Sequence, residues 1–185
     1  MPNPKSYPPE LLQRASKIKL LLMDCDGVLT DGRIYLLEGP NGQLFETKTF
    51  NTKDGIALAW AYSAGIQTGI ISGRKSPAVE ERARTAYMRY LFQGSTTKLP
   101  LFEEVLHDSG LSPEQIAFVG DDLTDLPLMR RCGLAAAPAD SQPEVLEAAH
   151  FVPSARGGQG AVRAVIELLL VAQDRWAEVL AKYNI

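Results

Sequence analysis

The sequence predicts an α/β fold: a three-layer α/β/α Rossmann-like sandwich around a mostly parallel sheet, with a protruding β-hairpin. Three observations carry that expectation. Short runs of strand length recur at Leu20–Met23, Ile66–Ile71 and Ile116–Val119. The first and third are apolar at every position, as strands covered on both faces require. Segments with helical spacing and helix-terminal residues separate the runs, the alternation that builds parallel sheets.

Each element has a local reason. Pro8 and Pro9 precede a short helix, Glu10–Ser16, leading into the strand Leu20–Met23. Arg33–Phe50 alternates Leu44, Glu46 and Lys48 against Phe45, Thr47 and Thr49, with Gly39-Pro40-Asn41-Gly42 between its halves. Asn-Gly is a hairpin-turn signal, so this segment reads as a β-hairpin. Asp54 is expected to cap a helix running to Ala64, closed by Gly65, before the strand Ile66–Ile71. Pro77–Tyr87 reads as a helix with early proline and acids at its positive end. Tyr90–Phe92 is a short strand and Leu99–Ser109 a helix ended by Gly110. Ser112-Pro113-Glu114-Gln115 resembles a capping signal ahead of the strand Ile116–Val119. Leu123–Arg131 is expected to be helical, Leu134–Ala136 a strand, Pro143–Ala149 a helix, and Ala161–Tyr183 one long terminal helix.

Composition bounds the class. The chain has 185 residues, 45% hydrophobic and 22% charged, which suits one domain, 1–185, with a full-sized core. The net charge is −3 and no Lys/Arg block stands out, so no nucleic-acid partner is expected. Cys25 and Cys132 have neither CxxC nor zinc spacing, which fits a reducing, cytoplasmic setting. The N-terminal stretch is polar and Pro-rich, and Val165–Ala172, interrupted at Glu167, is too short to cross a bilayer; no membrane segment is expected. No P-loop string is present.

The chemistry-bearing residues follow the strands. Asp24 and Asp26 leave the end of the first strand just before Gly27, where open α/β sheets place ligands. One such carboxylate can attack an electrophile while the other handles a proton, and both can face a hard cation. The second strand ends in Ser72-Gly73-Arg74, a hydroxyl and an unobstructed N–H that suit a phosphate oxygen or form an ordinary turn. Lys98 opens a helix, where a cation is disfavoured unless it serves an anion. Gly120-Asp121-Asp122-Leu123-Thr124-Asp125 follows the third strand and suits a hard cation, with helix capping the competing reading for Asp122 and Asp125. His107 and His150 are isolated and read as structural. Trp60 and Trp176 read as packing anchors, and Cys25 as a core thiol.

Taken together, strand ends carrying Asp-x-Asp, Ser, Lys and Gly-Asp-Asp resemble the haloacid dehalogenase-like phosphatase superfamily. The short spans Asp26–Ser72 and Ser72–Lys98 leave no room for a separate cap domain, so the resemblance is to the capless branch. Within it, Phe50–Gly55, Ile71–Arg74, Gln93-Gly94 before Lys98, and Gly157–Arg163 are similar to the group that hydrolyses the 8-phosphate of 3-deoxy-D-manno-octulosonate. A longer hairpin tip at Glu38–Asn41 and Ala164 in place of an acid are departures. The resemblance implies Asp24 as nucleophile and Asp26 as general acid and base, with Ser72, Gly73 and Lys98 on the phosphoryl group. It also implies Mg2+ held by the Asp24 carboxylate, the Asp26 carbonyl and the Asp121 carboxylate. Asp122 and Asp125 are expected behind these, and Arg74 and Arg82 are candidates to meet the sugar's carboxylate. Four subunits joined through hairpins at about 33–50, each roofing a neighbour's site, are implied as well. Gly157–Gly160 reads as a hinge or as a plain loop, followed by a C-terminal helix and tail, 161–185. Three other readings stay open at this point: a nine-carbon sialic-type acid phosphate as substrate, a non-catalytic assembly module, and a phospho-receiver domain. Asp26 argues against the receiver, whose acceptor normally lacks an acid two residues on.

Overall fold

The computed structural model describes residues 7–184; residues 1–6 and 185, the outermost ends of the expected domain and tail, lie outside the described residues. In chain order the elements are α1 (Pro9–Ala15), β1 (Leu20–Met23), β2 (Tyr35–Glu38), β3 (Leu44–Thr47), α2 (Thr52–Ser63), β4 (Gln67–Ser72), α3 (Pro77–Thr85) and β5 (Tyr90–Gln93). There follow α4 (Leu99–Ser109), β6 (Ile116–Val119), α5 (Leu126–Met129), β7 (Leu134–Ala136), α6 (Pro143–Ala148), α7 (Ala161–Ala172) and α8 (Trp176–Ala181).

Five strands form one all-parallel sheet in the order β5-β4-β1-β6-β7. Side chains alternate across it. Leu21, Met23, Ile70, Ala117 and Val119 join one core with residues of α1, α2, α3, α7 and α8. Leu20, Leu22, Ile71, Ile116 and Phe118 join a second core with residues of α4, α5 and α6. The division follows from crossover handedness. The chain steps from β1 through β4 to β5 in one direction, then returns to β6 and β7 in the other, so right-handed connections put the two sets of helices on opposite faces. The direction reverses beside β1, which places the ends of β1 and β6 side by side at the switch point.

The hairpin is a separate antiparallel pair, with Tyr35 opposite Thr47 and Leu37 opposite Phe45. Its turn closes through the Gly39 N–H on the Gln43 carbonyl and the Gly42 N–H on the Gly39 carbonyl. Ile34, Leu36, Leu37, Leu44 and Phe45 are all exposed on it.

Three elements differ from expectation. The cap of α2 is Asn51, whose side chain accepts from the Lys53 N–H, while Asp54 is fully buried and accepts from the Arg163 N–H at 2.8 Å. The expected long terminal helix breaks in two. Asp174 sits in the left-handed region (φ 56), and the Arg175 N–H reaches back to the Leu170 carbonyl, a Schellman closure that turns the chain before α8. The break lets Trp176 meet Trp60 edge-on at 5.5 Å between ring centres. The expected helix Leu123–Arg131 is a 3-10 turn at Leu123–Asp125 followed by the single turn of α5, because Asp125 folds back on the backbone before it. Among the described residues no helix is long and apolar enough to cross a membrane.

Candidate active site

The site is built on the turn after β1. Asp24 still behaves as strand, its N–H bonded to the Val119 carbonyl at 2.9 Å. The chain then curls so tightly that the Cys25 carbonyl accepts from the N–H groups of Val28, Leu29 and Thr30. Gly27 makes this possible. Its φ is +89°, and a Cβ there would lie 2.0 Å from Asp121 Oδ2, so only glycine lets the first acidic turn lie against the second. Cys25 is fully buried in the core.

Asp24, Lys98, Asp121 and Asp125 meet at the switch point. The Lys98 ammonium, 3% exposed, donates to Asp24 Oδ1 at 2.8 Å and to Asp125 Oδ1 at 2.6 Å. Asp125 has no accessible surface, and its other oxygen accepts from the N–H groups of Asp121 and Asp122 at 3.0 and 3.3 Å. It therefore anchors Lys98 and shapes the turn. Gly120 lets it do so, since a Cβ there would fall 2.4 Å from the Asp125 Cβ. Asp122 caps the following turn through the Leu123 N–H at 2.7 Å.

The electrostatics show an excess of negative charge. Burial pushes the Asp24 carboxyl up to about 6, opposed by Lys98 and reinforced by Asp125. Burial, then the charges of Asp24, Asp125 and Asp122, push Asp121 up to about 8. Asp121 Oδ1 is buried with no hydrogen-bond partner among the described residues. Oxygens of Asp24, Asp121 and Asp125 lie within 4.8 Å of one another. Hard oxygen donors with an orphaned, buried member fit a small divalent cation. Because both Asp125 oxygens are already engaged, Asp24 and Asp121 offer the carboxylate oxygens that could hold it.

Ser72 ends β4, 1% exposed, and its Oγ accepts from the Arg74 N–H at 3.3 Å. The Gly94 N–H on the Ser72 carbonyl ties this turn to the end of β5, and Gly73 lies against Thr96, whose methyl a Cβ would approach to 3.3 Å. Arg74 extends outward and pairs with Glu46 of the hairpin. The Arg82 guanidinium lies over the Phe50 ring, 5.5 Å from the centroid, against Gly55 of α2.

One residue not singled out in the sequence belongs here. Lys48, one position beyond β3, pairs with Asp26 Oδ1 and with Glu46 at 3.3 Å. Burial lowers its pKa and its two acidic partners more than restore it, so it stays a cation. The alternation of Leu44, Glu46 and Lys48 on one hairpin face was the available signal: charges among apolar residues on a face turned toward the acids. The glycine loop also takes part. A Cβ at Gly157 would lie 1.8 Å from the Gly27 carbonyl oxygen, so the loop before α7 is seated directly on the acidic turn.

Comparison with known proteins agrees with this construction. The family described as haloacid dehalogenase-like hydrolase matches residues 85–164. The 3-deoxy-D-manno-octulosonate 8-phosphate phosphatase of Yersinia pestis is 43% identical over 166 residues, 90% of this chain and 87% of that protein. Its crystal structure superposes with a TM-score of 0.86 at 42% identity, covering 91% of this chain and 89% of the other. The Moraxella catarrhalis enzyme of the same name, solved with magnesium, phosphate and a KDO molecule, superposes with a TM-score of 0.89 at 33% identity, covering 96% and 99%. The chain belongs to the haloacid dehalogenase-like hydrolases, in the family of 3-deoxy-D-manno-octulosonate 8-phosphate phosphatases.

Proposed function

We propose that the chain is a magnesium-dependent phosphomonoesterase whose substrate is 3-deoxy-D-manno-octulosonate 8-phosphate, an intermediate of lipopolysaccharide precursor synthesis. The observation that carries this reading is the Lys98 ammonium fixed between Asp24 and Asp125, beside an Asp121 oxygen with no partner. Lys98 occupies one oxygen of Asp24 and leaves the other for in-line attack on phosphorus. The P–O bond to the sugar breaks as the Asp24–phosphorus bond forms, and Asp26 protonates the departing oxygen. Asp26 then takes a proton from the water that hydrolyses the aspartyl-phosphate. Ser72 and the Gly73 N–H hold the phosphoryl oxygens, and Lys98 offsets their charge. Asp24 and Asp121, with the Asp26 carbonyl, would hold Mg2+, which when bound neutralises charge that otherwise keeps a carboxylate from a phosphate dianion.

Arg74 stands at the mouth of the site with an exposed guanidinium, suited to a sugar carboxylate. Arg82, stacked on Phe50, would contribute only through that packing or from a neighbouring subunit's side. A homotetramer joined through the hairpins is supported by five exposed apolar side chains, Ile34, Leu36, Leu37, Leu44 and Phe45, on one small ribbon. Two free cysteines, both buried, are compatible with a cytoplasmic setting.

The test is phosphate release, with magnesium, from a panel of sugar phosphates including eight- and nine-carbon acid sugars. Preference for the eight-carbon acid sugar phosphate, abolished by Asp24→Asn, is expected. Preference for a nine-carbon acid would keep the mechanism and replace the substrate. No release from any ester would leave an assembly module as the better reading.

A further inference from the structure

We propose that Lys48 is a positioning residue for the leaving-group step, fixing the Asp26 carboxyl group by one oxygen so that the other, which carries the proton before the step, stands ready to deliver it to the oxygen departing from phosphorus. The inference rests on the phosphomonoesterase reading above. Three observations carry it. The Lys48 side chain is 3% exposed and pairs with Asp26 Oδ1, although the two residues are 22 apart in sequence and belong to different substructures. Glu46 holds the same ammonium at 3.3 Å and is itself held by Arg74, so Lys48 is tethered from both sides. Asp26 Oδ2 is buried and has no hydrogen-bond partner among the described residues.

The energetics favour a functional explanation. An apolar side chain would fill the base of a hairpin without the desolvation cost of a buried ammonium. Nothing in the hairpin turn or register requires a cation at this place. Asp26, by contrast, lies in a turn beside a glycine, where an untethered carboxylate could rotate away from the reacting oxygen. Misplacement of a catalytic group by about 1 Å costs on the order of 10²-fold in rate. The polar contacts of the Lys48 ammonium are with Asp26 and Glu46, and it acts through Asp26.

The test uses leaving-group dependence. A sugar alcohol must be protonated as it leaves, whereas p-nitrophenolate departs without a proton. Values of kcat/KM are compared for the preferred sugar phosphate and for p-nitrophenyl phosphate, both with magnesium, since kcat/KM stops at the first irreversible step. Lys48→Met is expected to lose about 10²-fold on the sugar phosphate, and the loss on p-nitrophenyl phosphate to be at least about 10-fold smaller. Combined with Asp26→Asn, it should add little further loss. Should Lys48→Met not fold, as judged by circular dichroism, Lys48→Arg carries the same comparison. That variant retains the charge and displaces the contact, so a selective loss of about 10-fold is expected. Equal losses on both substrates, or none, by a folded variant would overturn the assignment while leaving the phosphatase reading intact. A wild-type enzyme that turns over neither ester would overturn both.

Discussion

Gly27 and Asp121 meet so closely that one cannot be described without the other. The glycine exists at that position because a carboxylate lies where its Cβ would be. That contact helps bury Asp121 beside Asp24 and Asp125, and the burial, with the crowding of charge, has a measurable sign. Asp121 has a folded pKa of about 8 and Asp24 of about 6, both above the ordinary value of 3.8. Between the unfolded and folded values the folded protein binds more protons than the unfolded chain, so stability falls as pH rises through that window. In EDTA the thermal midpoint should therefore be lower at about pH 8 than at about pH 6. Magnesium should raise it more at the higher pH, where the carboxylates are free to bind. A metal-free midpoint that climbs across that range would contradict the crowded-carboxylate account. At this scale the sequence was most legible where spacing is short. Asp24, Asp26, Ser72 and Asp121 stand out as candidates because each sits at a strand end, and Lys98 because it opens a helix. Lys48 was harder to read: alternation marks it as a charge on one hairpin face, but nothing local names Asp26, 22 residues away, as its partner.

At the scale of elements, the hairpin and the helix ends repay comparison. Alternation and Asn-Gly predicted a hairpin over 33–50, and its strands run Tyr35–Glu38 and Leu44–Thr47. Helix ends were less legible, for a physical reason. Asn51 and Asp54 are both good capping residues three apart. Which one caps depends on α7, whose Arg163 N–H claims Asp54. Likewise Asp174 can continue a helix or enter the left-handed region, and the Trp176–Trp60 contact that rewards the turn is far away in sequence. The hairpin supplies the prediction at this scale. Leu36 and Phe45 are 58% and 48% exposed, so changing both to Asp should alter the stability of an isolated chain little, about 0.5 kcal/mol or less for each. If the hairpins join subunits, the same double variant should convert the assembly to smaller species by light scattering. An unchanged mass would remove the hairpin from the interface.

For the molecule as a whole, the decisive feature is a sheet buried on both sides. Its strands carry no alternation, which is why the sequence identified them by length and apolar content rather than by period. The alternation of elements pointed to a mostly parallel sheet but set no strand order, because the reversal beside β1 depends on where β6 inserts. Phe118 lies on that strand, fully buried in the core shared with α4, α5 and α6. Phe118→Ala should cost about 3–5 kcal/mol, read as a lower urea midpoint with the slope unchanged. A loss under about 1 kcal/mol would mean that this face can collapse around the gap.

The seating of Gly157 on the Gly27 carbonyl concerns the order in which the chain is made. Asp24 is synthesised before β4 and β6, the neighbours that β1 takes, and the acidic turn is closed by a loop made more than a hundred residues later. A nascent chain thus carries Asp24, the proposed nucleophile, long before it carries a pocket. The acidic turn is complete only once the segment around Gly157 has returned to cover it.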